Sequence, residues 1–86
     1  TLHKAKMKEW SRASYRNKLA TAADFVTVPL KHDGVDLMKV DIENEIKPMA
    51  IVLVRELDAS NKDGTVDDQD VSTAAAVIMV LMRAGF

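Results

Sequence analysis

The sequence predicts a mostly β protein with an N-terminal α-helix, in which a small, strongly bent antiparallel sheet forms an open barrel. Three observations predict this class. Residues 25–30 alternate apolar side chains in the pattern of a pleated strand. The pair Asp33-Gly34 then forms a turn signal, and the alternation resumes after it, as the second strand of a hairpin would. Residues 48–57 and 71–82 add two apolar runs that are rich in β-branched side chains.

Residues 1–22 are predicted to form the helix, and residues 23–86 the bent sheet, of one domain spanning 1–86. The helical part lacks Gly and Pro and is rich in Lys, Arg, Ala, Met and Leu, which favour helix. Its apolar positions form an irregular stripe, so we expect the helix to lie on the surface of the sheet. Trp10 and Tyr15 are expected to pack against the body of the protein rather than serve as stacking platforms.

In the rest of the chain, some residues favour strand and others favour helix or loop. Pro29 cannot donate a ladder hydrogen bond, so the first strand is placed at an edge or a bulge. The polar residues 41–47 predict a loop. The run at 48–57 fits a strand buried on both faces or a short buried helix, and its Ile and Val residues favour the strand. At 71–82 the three central alanines favour helix and the Val-Ile-Met-Val run favours strand; strand is preferred, with helix as the alternative.

Composition limits what this chain can be. Eighty-six residues make at most one domain and bury about 60–65% of their unfolded surface. The sequence is 48% hydrophobic and has no cysteine, which excludes disulfides and cysteine metal sites. Apolar runs in excess of what one small sheet covers predict a homo-oligomer. No run is long enough for a membrane span and no secretory signal is recognised, so a cytoplasmic protein is expected.

Charge is distributed unevenly along the chain. The net charge is −1, yet residues 1–30 carry six basic and two acidic side chains, and the rest carries six basic and eleven acidic ones. A basic N-terminal part favours a polyanionic partner or contact between subunits. The sequence has no nucleophile elbow and no glycine-rich phosphate loop, and its two histidines lie far apart. We therefore predict no enzymatic activity and no cofactor.

The layout resembles the Sm/LSm family of ring-forming RNA-binding proteins, which includes bacterial Hfq. A basic helix is followed by Val-Thr-Val-Pro-Leu-Lys-His-Asp-Gly at 26–34, similar to the first strand of that family. Residues 40–44 are similar to its Asp…Met-Asn loop, one residue short and without the Met. Residues 81–85 are similar to its Ile-Arg-Gly loop with an inserted Ala. The chain is also similar to divergent Sm-like proteins of marine phage type, for which the host cytoplasm is the implied location.

This resemblance implies a homo-oligomeric ring that binds single-stranded RNA or DNA, with no membrane involvement. Asn44 would contact a base, and Arg83 would stack on it or clamp it at the pore. Lys47 and Lys31 would contact phosphate, with His32 beside Lys31 in the same motif. Each of these polar residues also has an ordinary interpretation as a turn former or a solvated charge.

Residues 58–70 support an alternative, in which the chain is a calcium-binding or structural interaction module with a helical C-terminal half. The segment resembles the later part of an EF-hand or dockerin loop, with Gly64 at the sharp turn. Its first ligand position holds Ala59, so a cation that takes six to eight oxygens loses one carboxylate. An acidic turn without metal is the preferred interpretation. The candidate ligands are Asp58, Asn61, Asp63, Asp67 and Asp70.

Overall fold

The computed structural model describes residues 2–83, which fold into four α-helices. These are α1 (Met7–Arg12), α2 (Tyr15–His32), α3 (Lys47–Ser60) and α4 (Val71–Arg83). A 3-10 turn and a π-helical turn lie between α2 and α3, at Leu37–Lys39 and Ile42–Ile46. No strand occurs among residues 2–83, where one isolated antiparallel bridge joins Lys6 to Asp70. The prediction of a mostly β, Sm-like bent sheet or open barrel is therefore wrong.

The predicted N-terminal helix is two helices, and the second extends through the predicted hairpin strand. Ser14 separates them, and its hydroxyl accepts the Asn17 N–H at 3.2 Å as the N-cap of α2. On α2, Ala22 and Val26 are buried and Leu30 is half-buried, at a spacing of four residues. Gly34 takes a φ of 85° just beyond the helix. The Asp33-Gly34 turn thus exists, but it ends a helix.

Burial of one face explains why α2 is helical despite its β-branched residues and Pro29. The full range of β-propensity spans about 1 kcal/mol per residue. Burying one apolar side chain stabilises by roughly 1.5–3 kcal/mol, and several such positions share the inner face of α2. Pro29 lies in the last turn, and its carbonyl accepts the Asp33 N–H at 2.9 Å. Packing therefore outweighs local preference.

The two apolar runs predicted as strands are α3 and α4. Each helix buries positions i, i+3, i+4 and i+7, which is the period of a helix with one buried face. In α3 the buried residues are Ala50, Leu53, Val54 and Leu57, and in α4 they are Val71, Ala74, Ala75 and Ile78. The strand preferences at 48–57 and at 71–82 are both wrong, and the helix alternative at 71–82 is the correct one.

The core lies between the helices and includes Trp10, which is fully buried, as predicted for a packing residue. The same prediction is wrong for Tyr15, which is 57% exposed. Met7 of α1 is likewise fully buried. The N-terminal segment is attached to α2, because the Leu2 N–H donates to the Thr21 hydroxyl at 3.0 Å. Within the described part of the chain, no helix combines the length and apolar character needed to cross a membrane.

Candidate functional site

The loop between α3 and α4 is organised around Asn61, whose residue surface is 6% exposed. Its amide nitrogen donates to Oδ1 of Asp67 at 2.7 Å and to the Ser11 hydroxyl at 3.3 Å. Its amide oxygen accepts the Val66 N–H at 3.0 Å. One side chain therefore connects the two sides of the loop and ties the loop to α1.

Asp63 forms the outer turn of this loop. Its Oδ1 accepts the Thr65 N–H at 3.2 Å and the Thr65 hydroxyl at 2.8 Å. Both bonds lower the pKa of Asp63 below its usual value because they stabilise the carboxylate, and the bond from the Thr65 hydroxyl has the larger effect. Gly64 takes a φ of 75°, where a side chain would be strained.

Residues 5–8 form backbone hydrogen bonds with the end of the loop and the start of α4. The Met7 N–H donates to the Gln69 carbonyl at 2.8 Å, and the Lys8 N–H donates to the Asp67 carbonyl at 3.0 Å. The Val71 N–H donates to the Ala5 carbonyl at 3.0 Å. The chain's own N-terminal segment therefore satisfies backbone groups at the end of the loop and at the start of α4.

Lys6 places a positive charge beside the last candidate calcium ligand. Its Nζ donates to Oδ1 of Asp70 at 2.6 Å, and both side chains are about half exposed. The hydrogen bond to Asp70, followed by the attraction between the two charges, raises the pKa of Lys6. Asp70 therefore has a cationic partner from within the chain.

The Asp58 carboxylate bonds to residues of α1 and α2. Its Oδ1 accepts the indole N–H of Trp10 and the ammonium of Lys18, each at 2.9 Å. The Lys18 side chain is only 13% exposed. The Asp58 carboxylate is thus engaged in holding α1 and α2 to the end of α3.

These contacts do not fit a calcium site. Each of the five candidate ligands has a hydrogen-bond partner in the chain, and the first ligand position holds Ala59. Among residues 2–83, no group of three or more His, Cys, Asp or Glu side chains is arranged to hold a metal ion. The same residues leave no buried side-chain nitrogen or oxygen without a hydrogen-bond partner. The candidate ligands therefore stabilise the loop through donors and acceptors of the chain itself.

The residues predicted to bind nucleic acid lie on separate elements. Lys31 and His32 form the exposed last turn of α2. Asn44 lies in the π-helical turn, and its amide donates to Asp41 at 2.7 Å. Lys47 begins α3 and pairs with Glu43 at 3.5 Å. Arg83 ends α4, so the predicted loop at 81–85 is helical through Arg83, and its last two residues lie outside the described range.

Comparison with known proteins gives no family for this chain. No family model, no curated protein and no solved structure matches it.

The outer face of α4 is a second candidate surface, which was not among the sites predicted from the sequence. Residues 71–82 contain no charged side chain, so the exposed face of this helix is uncharged along almost its whole length. A helix that is apolar all around is normally buried. The exposed residues are Ser72, Thr73, Ala76, Val77, Val80 and Leu81.

Two apolar grooves on the α2 side extend this face. One is lined by five apolar residues and has a volume of about 280 Å³: Val26, Leu30, Met49, Met79 and Met82. The other contains Val28, Ala76 and Met79, further residues of α2 and α4, and His3 of the N-terminal segment. Met79 lines both grooves. The signal in the sequence was the run of twelve uncharged residues, which becomes a surface once helical periodicity is applied to it.

Proposed function

We propose that the chain is a structural interaction module whose working surface is the outer face of α4. The observation that carries this proposal is the absence of charge on that exposed face, from Val71 through Met82. Catalysis has no part in it. The proposal keeps the interaction-module alternative predicted from the sequence and drops its calcium site.

The loop at 61–70, between α3 and α4, has a supporting role in this proposal. Asn61 closes it internally, and Lys6 neutralises Asp70 at its end. α4 begins directly after the loop, at Val71, where the Ala5 carbonyl accepts its N–H. These contacts hold the start of α4 through groups of the chain itself, without a metal ion.

The exposed aliphatic residues supply the free energy for docking. Val77, Val80 and Leu81 are 55, 65 and 44% exposed. Since full burial of one such side chain is worth roughly 1.5–3 kcal/mol, covering the exposed parts of all three would contribute on the order of 2–5 kcal/mol to docking. This is a substantial part of what a weak complex requires.

Binding of single-stranded nucleic acid stays a prediction with weaker support. The resemblance that implied it depends on a sheet, and residues 2–83 form none. What is left in its favour is the charge asymmetry of the chain. Lys6 and Lys18, which contribute to that asymmetry, are paired with Asp70 and Asp58.

Fluorescence of the dye ANS, which binds exposed apolar surface, tests the proposed working surface. The measurement is made on the native chain at a concentration at which it sediments as a monomer. In salt that screens the attraction between the new lysines and the sulfonate of the dye, we expect the wild type to enhance ANS fluorescence and the double variant V77K/V80K to lose part of that enhancement. The thermal midpoint should change little, because both side chains are exposed.

Two results would contradict the proposal. The first is a native wild type that leaves the dye dark. The second is a V77K/V80K variant that unfolds as readily as a core variant such as L53A, since that would place the two valines in the core rather than on a surface. Leu53 is fully buried and serves as the reference for core damage.

A further inference from the structure

We infer that the partner of the α4 face is a second copy of this chain, which packs its own α4 against it in a symmetric dimer. This inference rests on the proposed function. It goes further by naming the occupant of the surface.

The lack of charge on the face favours a copy of itself as partner. A partner that presented charges here would lose their hydration and find no opposite charge between Val71 and Met82. The same chain offers a face of matching character and equal length. A twofold axis lets one patch serve both subunits, which is the commonest symmetry among oligomers.

Small side chains on the face allow close helix packing. Ser72, Ala76 and Val80 follow one another at intervals of four residues, so they form one ridge on the exposed side of α4. Val77 and Leu81 form a second ridge beside it at the same spacing. Ridges of this kind fit the grooves of a facing helix at interaxial distances of about 8–10 Å.

The size of the face indicates a weak dimer. α4 has 13 residues and is therefore about 20 Å long. Val28 is 62% exposed and lines a groove together with Ala76. The exposed parts of Val28, Val77, Val80 and Leu81 together equal a little more than two fully exposed aliphatic side chains in each copy. So few apolar side chains per copy are typical of small interfaces, where association is weak and transient.

Sedimentation equilibrium of the full chain up to about 1 mM tests the inference, because that range detects weak complexes. We expect a concentration-dependent dimer in the wild type. V80K should lower the association constant by about 10- to 100-fold, since it introduces a charge into an apolar interface. T73K provides a second variant on the same face. The matched control is M38K, at a residue that is 93% exposed on the 3-10 turn, and it should dimerise like the wild type.

Each outcome decides the question. Loss of the dimer in V80K and T73K, with retention in M38K, supports it. A dimer that survives both α4 variants, or that is lost in M38K, overturns it. A wild type that stays monomeric up to about 1 mM but binds ANS at α4 also overturns the second copy, while leaving the proposed docking surface intact. A monomer that instead binds phosphatidylcholine vesicles through α4 overturns it in favour of a lipid surface.

Discussion

The indole N–H of Trp10 donates to Oδ1 of Asp58 at 2.9 Å, a contact that joins residues 48 positions apart in the sequence. The Lys18 ammonium binds the same oxygen and lies 5.8 Å from the centroid of the Trp10 ring. One carboxylate therefore connects α1, α2 and the C-terminal end of α3. The loop at 61–70 begins three residues after Asp58.

Replacing Trp10 with Phe tests this connection. We expect W10F to lower the free energy of unfolding by about 2–3 kcal/mol, because it removes a donor to a charged acceptor and leaves unfilled space in the core. Urea denaturation followed by far-ultraviolet circular dichroism measures the change. Y15F is the control, since Tyr15 is 57% exposed, and it should alter stability by less than about 0.5 kcal/mol. If both variants lose the same free energy of unfolding, the buried indole contributes no more to stability than the exposed Tyr15 hydroxyl.

Asn61 is expected to be the most sensitive polar residue of the loop. N61A removes the bonds to Asp67, Ser11 and the Val66 N–H, and we expect a loss of about 2–4 kcal/mol because three partly buried hydrogen bonds are lost together. The matched control is N44A, at an exposed residue bonded to Asp41, which should cost less than about 1 kcal/mol. Denaturant unfolding of both variants provides the comparison. An N61A protein as stable as N44A would rule out the proposed role of the buried amide.

Acid stability should depend on the turn at Asp63. Because the folded pKa of Asp63 lies below its unfolded value of 3.8, its contribution is present above that value and is lost as the pH falls through the folded pKa. In T65A the hydroxyl donor is gone and only the N–H is left, so the pKa of Asp63 should rise toward 3.8. Carboxyl-carbon NMR titration reports this pKa directly. An identical Asp63 pKa in both proteins would exclude the hydroxyl as the main cause.

Alkaline stability should depend on Lys6 in the opposite direction. The folded pKa of Lys6 lies above its unfolded value of 10.5, so its contribution is present below 10.5 and is lost as the pH rises through the folded pKa. D70N should lower the pKa of Lys6, since it removes the hydrogen-bonded negative charge. An NMR titration of the Lys6 side chain in wild type and D70N gives the comparison. The pair is absent in solution if the two pKa values agree.

The helical fold was present in the sequence but was obscured by β-branched residues. The spacing of Ala50, Leu53, Val54 and Leu57 is that of a helix with one buried face. Ile51 and Val52 fill the intervening positions, so the run is apolar throughout and its period is hidden. Deciding between the two periods requires knowing which side is covered, and that depends on α2 and α4, which lie elsewhere in the chain.

The loop between α3 and α4 was predictable only in part, because some of its contacts join residues that are far apart in the sequence. Turn chemistry correctly placed a turn at Gly64, where φ is 75°. Asn61 and Asp67 were singled out together and do lie in contact. The partners of Asp58 and Asp70 were not predictable, because Lys18 and Lys6 are 40 and 64 positions away. Local pattern carries no information about pairs at such separations.

The central claim is that hydrogen bonds within the chain, rather than a bound metal ion, hold α4 in place. Calcium titration of the wild type tests this claim most directly. The chain is first treated with EDTA, then titrated with calcium to millimolar concentration by calorimetry, and its thermal midpoint is measured before and after. We predict no heat of binding and an unchanged midpoint. Binding heat together with a higher midpoint would contradict the account, since calcium at about 100 times its Kd would add about 2.7 kcal/mol to the free energy of unfolding.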